Sequence, residues 1–184
     1  RAAAPLWGSR AELRLLGEIF TLLSLAVLWN LLAGYAGLLS VGQQTFVGIG
    51  GYMLFIATTL LGISPYIAIP LSMLASMLAA AVFAPLLFRL EGAYFAIGTW
   101  VVAESVFLVF GMIPALGAGA GTSLPAAVVK SIAADKTLRE FVIYWLTLGL
   151  GALTLFGAYG LLRSKAGLAL TAIRDDALAA ASLG

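Results

Sequence analysis

The sequence has no cysteine and no histidine. The first absence removes disulfides, thiolate nucleophiles and sulfur-ligated metals. The second removes the side chain that most often moves protons and holds metals near neutral pH. Charge is scarce too: Asp, Glu, Lys and Arg make up 10% of the chain and the formal net charge is +2, against about 25% charged residues in soluble domains. The 10 basic residues are scattered along 184 positions and form no cationic face for nucleic acid. No stretch reads G-x-x-x-x-G-K-[ST], so the chain carries no phosphate-cradling loop of its own. No paired-carboxylate, Ser/His/Asp or metal-ligand constellation assembles from what remains. Enzyme readings are therefore weak, and neither a metal nor a cofactor is expected on this chain.

What the chain does have is apolar surface. Hydrophobic residues reach 62% and the mean hydropathy is +1.09. That leaves too little polar surface to cover a water-facing exterior. Crossing ~30 Å of hydrocarbon takes about 20 apolar residues in helical form. No charged residue stands between Glu18 and Arg89, which is room for three spans with tight turns. Glycine, serine and proline set the breaks, so spans are expected at Leu15–Ala33, Val41–Leu61 and Tyr66–Phe88. Arg89-Leu90-Glu91-Gly92 reads as a charged hairpin before a fourth span, Ala93–Ile113. A glycine-rich link containing a possible surface helix, Ala126–Lys136, leads to a fifth, Phe141–Leu162. The expected fold class is all-α: a polytopic integral membrane protein with about five spans over 15–162. Residues 1–14 are a lead-in without the unbroken apolar core of a signal peptide, and Arg163–Gly184 returns to a soluble composition. A start without Met and an end just after a polar segment read as cut ends. With five spans and the tail inside, four basic residues lie inside (Arg89, Arg163, Lys165, Arg174), fewer than the rest. That count does not support a cytoplasmic tail by the positive-inside rule.

Polar groups within the spans are the candidate functional residues. Glu104 lies near the middle of the fourth span, where an ionised carboxylate costs about 3 kcal/mol or more unless paired, hydrated or protonated. It reads as a polar clamp to a neighbouring helix, a wall of a substrate path, or a proton relay. Gln43 and Gln44 open a second span that also carries Gly42, Gly48, Gly50 and Gly51. Irregular backbone at membrane depth survives when it is buried in protein or lines a wet cavity, and glycine also serves packing alone. Ser72, Ser76, Ala80 and Ala84 recur at four-residue spacing, a small-residue ridge for close helix packing within one chain or between subunits. In the tail, Leu170, Ile173, Ala177 and Ala181 share one helical face, with Thr171, Asp175 and Ser182 towards the other. This is either a short amphipathic helix that docks on a partner or a solvated loop leading to another span.

Three segments together resemble one family. Asn30–Phe46 (NLLAGYAGLLSVGQQTF), Leu90–Glu104 (LEGAYFAIGTWVVAE) and the tail Gly167–Gly184 are similar to the LivM-type permease subunits of branched-chain amino-acid ABC importers. The matching positions are Asn30, Gly34, Tyr35, Gly37, Leu39, Ser40 and Gly42, then Gly92, Tyr94, Phe95, Ala96, Ile97 and Glu104, then Gly167, Ala172, Ile173, Arg174, Asp175 and Asp176. The order and spacing hold from about residue 20 to the end. Two departures are Val41-Gly42-Gln43, where the family often has His, and Glu91, where it commonly has a basic residue. Related permeases also carry urea, small amides or other amino acids.

The resemblance implies a fragment of a multi-pass permease in the bacterial inner membrane, with an extracytoplasmic amino end and a cytoplasmic coupling helix. It implies a second permease subunit, two ATPase subunits that hold ATP and Mg, and a periplasmic substrate-binding protein as partners. Asn30, Gln43, Gln44 and Glu104 become candidate pathway groups, and Gly167, Arg174, Asp175 and Asp176 candidates for ATPase coupling. The rivals are an ion-coupled secondary transporter using Glu104 and a non-transporting membrane scaffold.

Overall fold

The computed structural model describes residues 10–133 and 135–175. These residues form helices and connecting turns, with no strand among them. The helices are α1 (Arg10–Asn30), α2 (Gln44–Phe55), α3 (Pro65–Leu87), α4 (Ala93–Gly111), α5 (Ala126–Ile132), α6 (Lys136–Leu162) and α7 (Lys165–Asp175). Two of them end in a wider π-helical turn: α1 continues through Leu31–Tyr35 and α2 through Ile56–Leu60.

Four helices are long and apolar enough to cross a membrane: Ala11–Tyr35, Pro65–Leu87, Ala93–Gly111 and Lys136–Leu162. The remaining apolar helix, Gln44–Leu60, is shorter. At 1.5 Å per residue it reaches about 25 Å, less than the ~30 Å of hydrocarbon. The five similar spans expected from composition are thus four long ones and a short one. The backbone explains the shortfall. Gly37 turns at φ +70° and Gly62 at φ +66°, and the chain between Tyr35 and Gln44 stays out of helix. Large apolar side chains project outward along the long helices, among them Leu22, Val82, Phe107 and Phe156. That surface suits lipid rather than water.

The chain divides into two compact units. The first holds α1, α6 and α7. Its core is the α1–α6 pair, brought close by small residues as lipid-embedded packing requires. Gly17 faces the Thr147 hydroxyl, where an added Cβ would sit 3.3 Å away, and Gly151 faces the backbone of Phe20 and the Ser24 hydroxyl. Tyr144, 1% exposed, packs edge-on against Phe20 with ring centroids 5.9 Å apart.

The second unit holds α2, α3, α4 and α5. Here α2 lies against α3 through the small-residue ridge. Ser76 donates its hydroxyl to the Phe46 carbonyl at 3.0 Å, and Gly50 sits over that same hydroxyl. Ser72 is buried, while Ala80 and Ala84 are half-buried. Pro65 begins α3, and Pro70 and Pro85 lie within it. Tyr66, near its start, donates to the Ile132 carbonyl at the end of α5 at 2.6 Å.

Candidate functional site

Two places gather the polar groups marked out by the sequence. The first lies within the second unit, between α2 and α4. Two faces of α4 have different tasks. Phe95 and Thr99 are buried one turn apart, and Thr99 Oγ1 accepts the backbone N–H of Val41 at 3.1 Å. Gly42 then brings its backbone against the Thr99 carbonyl, leaving no space for a side chain. The other face presents Trp100, Ala103, Glu104 and Phe107, at helical spacing, to a cavity of about 350 Å³. Across it stand Gln44, Thr45, Gly48 and Tyr52 of α2. Tyr52 stacks on Phe110 with ring centroids 4.7 Å apart.

The cavity is mainly apolar with a few converging polar groups, the usual form of a small-molecule site. Gln44 supplies an amide and Glu104 a carboxylate. Thr45 Oγ1 is buried with no hydrogen-bond partner among the described residues, a group whose desolvation goes uncompensated by about 1–3 kcal/mol until something meets it. Gly48 and Tyr52 also border a second cavity of about 330 Å³ that runs to Gly121, Thr122 and Leu124.

The sequence placed Glu104 within the bundle, with a clamp to a neighbouring helix as one of its roles. The residue is exposed and lines the cavity, and among the described residues it makes no ion pair. Thr99 makes the clamp, five positions earlier on the face that α4 turns inward. Gln44 and Glu104 share one cavity, whereas Gln43 precedes α2 and lies outside the lining. Asn30 is in the first unit and is not part of this site. Tyr52, Trp100 and Phe110 were not singled out by sequence reasoning, because aromatics are ordinary in apolar spans. The one available signal was the three-to-four-residue spacing of Trp100, Glu104 and Phe107.

The second place lies within the first unit, where α7 meets the end of α1. The last carbonyls of a helix lack amide partners of their own. Leu31 and Leu32 are served by the N–H groups of Ala36 and Leu38. The Gly34 carbonyl accepts instead from Arg174 Nη1 at 3.0 Å. Arg174 also reaches Asp175 Oδ1, through Nη2 at 2.8 Å and Nε at 2.9 Å. Asn30 leans over Gly34, where a Cβ would stand 2.6 Å from its Oδ1. At the other end of α7, Gly167 is buried and a Cβ there would meet the backbone of Leu161 and Leu162 at 2.5 Å.

α7 therefore turns Gly167, Leu170 and Thr171 inward and leaves Leu168, Ala169, Ala172 and Ile173 exposed. The sequence grouped Leu170 with Ile173 on one face, and the packing separates them. Arg174 is exposed, as a residue presented to a partner would be, and also bonds its own chain. Asp176, Ala177, Ala181 and Ser182 lie outside the described residues.

A family model described as branched-chain amino acid transport system / permease component matches residues 12–184. No curated protein matches the chain, and no solved structure matches it.

Proposed function

Because the chain belongs to the family of branched-chain amino-acid transport permease components, we propose that it is the membrane-embedded conduit of a bacterial ABC importer for branched-chain or related amino acids. Membership makes it a multi-pass transport component; the importer, its direction and its cargo are the proposed part. The observation that carries the reading is the shared cavity, which holds Gln44 and Glu104 among Tyr52, Trp100 and Phe110. An amide and a carboxylate suit the ammonium group of an amino acid, and the aromatic wall suits an aliphatic side chain.

No phosphate-cradling sequence is present, so force must come from elsewhere. In the proposed assembly two ATPase subunits hold ATP and Mg, a second permease subunit completes the conduit, and a periplasmic binding protein delivers cargo. The exposed apolar strip Leu168, Ala169, Ala172 and Ile173 on α7 is the surface offered to an ATPase, with the tail cytoplasmic in the inner membrane.

The deciding experiment is co-purification from native membranes. The full-length protein should bring down an ATPase subunit, and deletion of Arg163–Gly184 should abolish this while the rest stays inserted. Recovery of the permease with no ATPase bound would refute the proposal.

A further inference from the structure

We infer that Arg174 is a positioning residue: it locks α7 onto the cytoplasmic end of the first span, so that α1 and α7 move as one body. The tie rests on geometry alone; its consequence for transport, and the cytoplasmic assignment, rest on the function proposed above. Two contacts make the tie, and a third, within α7, orients the guanidinium. Arg174 Nη1 donates to the Gly34 carbonyl at 3.0 Å. A cation placed on the last carbonyls of a helix also complements the negative end of its dipole. The stem of Arg174 lies over Gly37, where a Cβ would come 2.8 Å from Cγ, and Gly37 holds φ +70°, which favours the residue with no side chain. Asp175 Oδ1 takes two of the remaining guanidinium donors, which fixes the plane of the group.

These contacts hold the described part of α7, Lys165–Asp175, in its first and last turns. Its first turn is held by Gly167 against Leu161 and Leu162 at the end of α6, and its last by Arg174 against the end of α1. The residues joined, Gly34 and Arg174, are 140 positions apart, yet each belongs to a segment that carried the family resemblance. A partner that displaces the outer strip of α7 would then move the end of α1 through the Arg174 contact. The wide π-turn Leu31–Tyr35 is the part of α1 that receives the displacement.

The test uses pulsed electron resonance on the full chain in lipid nanodiscs, with spin labels on cysteines introduced at Leu22 and Ala166. Both are exposed, Ala166 lies outside the strip offered to the ATPase, and the 184 residues contain no cysteine of their own. Leu22 lies about 18 Å along α1 from Gly34 at 1.5 Å per residue, which keeps the labels in a measurable range. With Arg174 present, a single narrow distance is expected. Arg174→Met should broaden it or shift it by about 5 Å, the rise of one helical turn, without changing expression. Arg174→Lys, which keeps one donor for the Gly34 carbonyl, should restore the narrow peak. An unaltered distribution in Arg174→Met would overturn the lock.

In the assembled transporter, the native distance should hold when the ATPase is trapped with ATP and vanadate. Leucine uptake per ATP should fall about tenfold in Arg174→Met while ATPase co-purification persists, a loss of coupling free energy rather than of assembly. A native distance that changes with nucleotide would overturn the one-body claim. If no ATPase co-purifies at all, the proposed function fails, and the measurement on the isolated chain still decides the lock.

Discussion

Val41 donates its backbone N–H to Thr99 Oγ1 at 3.1 Å, and the next residue, Gly42, rests its backbone on the Thr99 carbonyl. This joins the non-helical entry to α2 with the inward face of α4. The entry needs such a partner, because a backbone group left unpaired away from water costs free energy comparable to a lost hydrogen bond. Thr99 therefore fixes how α2 begins, and with it the position of Gln44 and Thr45 at the cavity wall.

The first prediction concerns Gly42. Its neighbour is backbone rather than a flexible side chain, so a methyl group must push the two segments apart. Gly42→Ala should cost about 1–3 kcal/mol, as overpacking does. Gly149→Ala in α6 meets nothing within 4 Å and should be neutral or stabilise by up to about 1 kcal/mol, because alanine is the better helix former. Thermal unfolding in detergent separates the two. Equal midpoints for both variants would remove the close approach from the argument.

Tyr144 offers a test of the α1–α6 pair. Its ring is 1% exposed and packs on Phe20. Tyr144→Ala should lower stability by about 3–5 kcal/mol, since lipid cannot fill a cavity between two packed helices and the contacts are lost outright. Trp145→Ala, whose side chain is 53% exposed, should cost far less. Detergent denaturation of both variants checks the ordering.

How much of this was legible beforehand differs from one residue to the next. Apolar runs and the charge gaps between them locate helices, because lipid leaves a spanning backbone no other choice. They do not set helix length, which here depends on local backbone. Gly37 and Gly62 take positive φ, and two helices widen into π-turns, so α2 begins at Gln44 rather than Val41 and falls short of a full span. The cavity was half visible. Gln44 and Glu104 stand out as polar groups in apolar runs, and the structure places them together. Asn30 stands out equally but lies in the first unit, over Gly34 near the end of α1. Thr99 did not stand out, because a small hydroxyl in a span usually bonds its own helix, as Thr99 also does to Ala96 at 2.9 Å. The Arg174 contact was hidden for another reason: pairing residues 140 positions apart depends on the packing of two helices, which periodicity does not contain.

The ridge on α3 leads to a coupling prediction. Gly50 places its α-carbon over the Ser76 hydroxyl, which an added Cβ would meet at 3.0 Å, and that hydroxyl is held by the Phe46 carbonyl. Gly50→Ala alone crowds the hydroxyl, which must give by a few tenths of an ångström, and should weaken the bond at a cost of about 1 kcal/mol. Ser76→Ala alone loses the same bond. In the double variant the same bond is lost only once, so its cost should fall short of the sum of the two single costs by about 1 kcal/mol in a double-mutant cycle. Strict additivity would mean that α2 and α3 do not meet at these two residues.

The last prediction concerns Glu104, where chemistry and location can be separated. The carboxylate faces the cavity without an ion-pair partner among the described residues, next to a wall of Trp100 and Phe107. If it serves as a polar wall that passing cargo touches, an acceptor oxygen for the ammonium group at this place matters more than a full charge. Glu104→Gln keeps the shape and one acceptor oxygen and should retain leucine uptake within about threefold, while Glu104→Leu removes the polar contact and should lose about tenfold. A proton relay makes a different demand: an amide cannot titrate, so Glu104→Gln would then fail as completely as Glu104→Leu. Uptake of radiolabelled leucine by cells making each variant at equal membrane abundance distinguishes these outcomes. Equal failure of the two variants would move Glu104 from the cavity wall to a proton path and revive the secondary-transporter rival. Equal success would remove the residue from the pathway, leaving Gln44 and Thr45 as its polar groups.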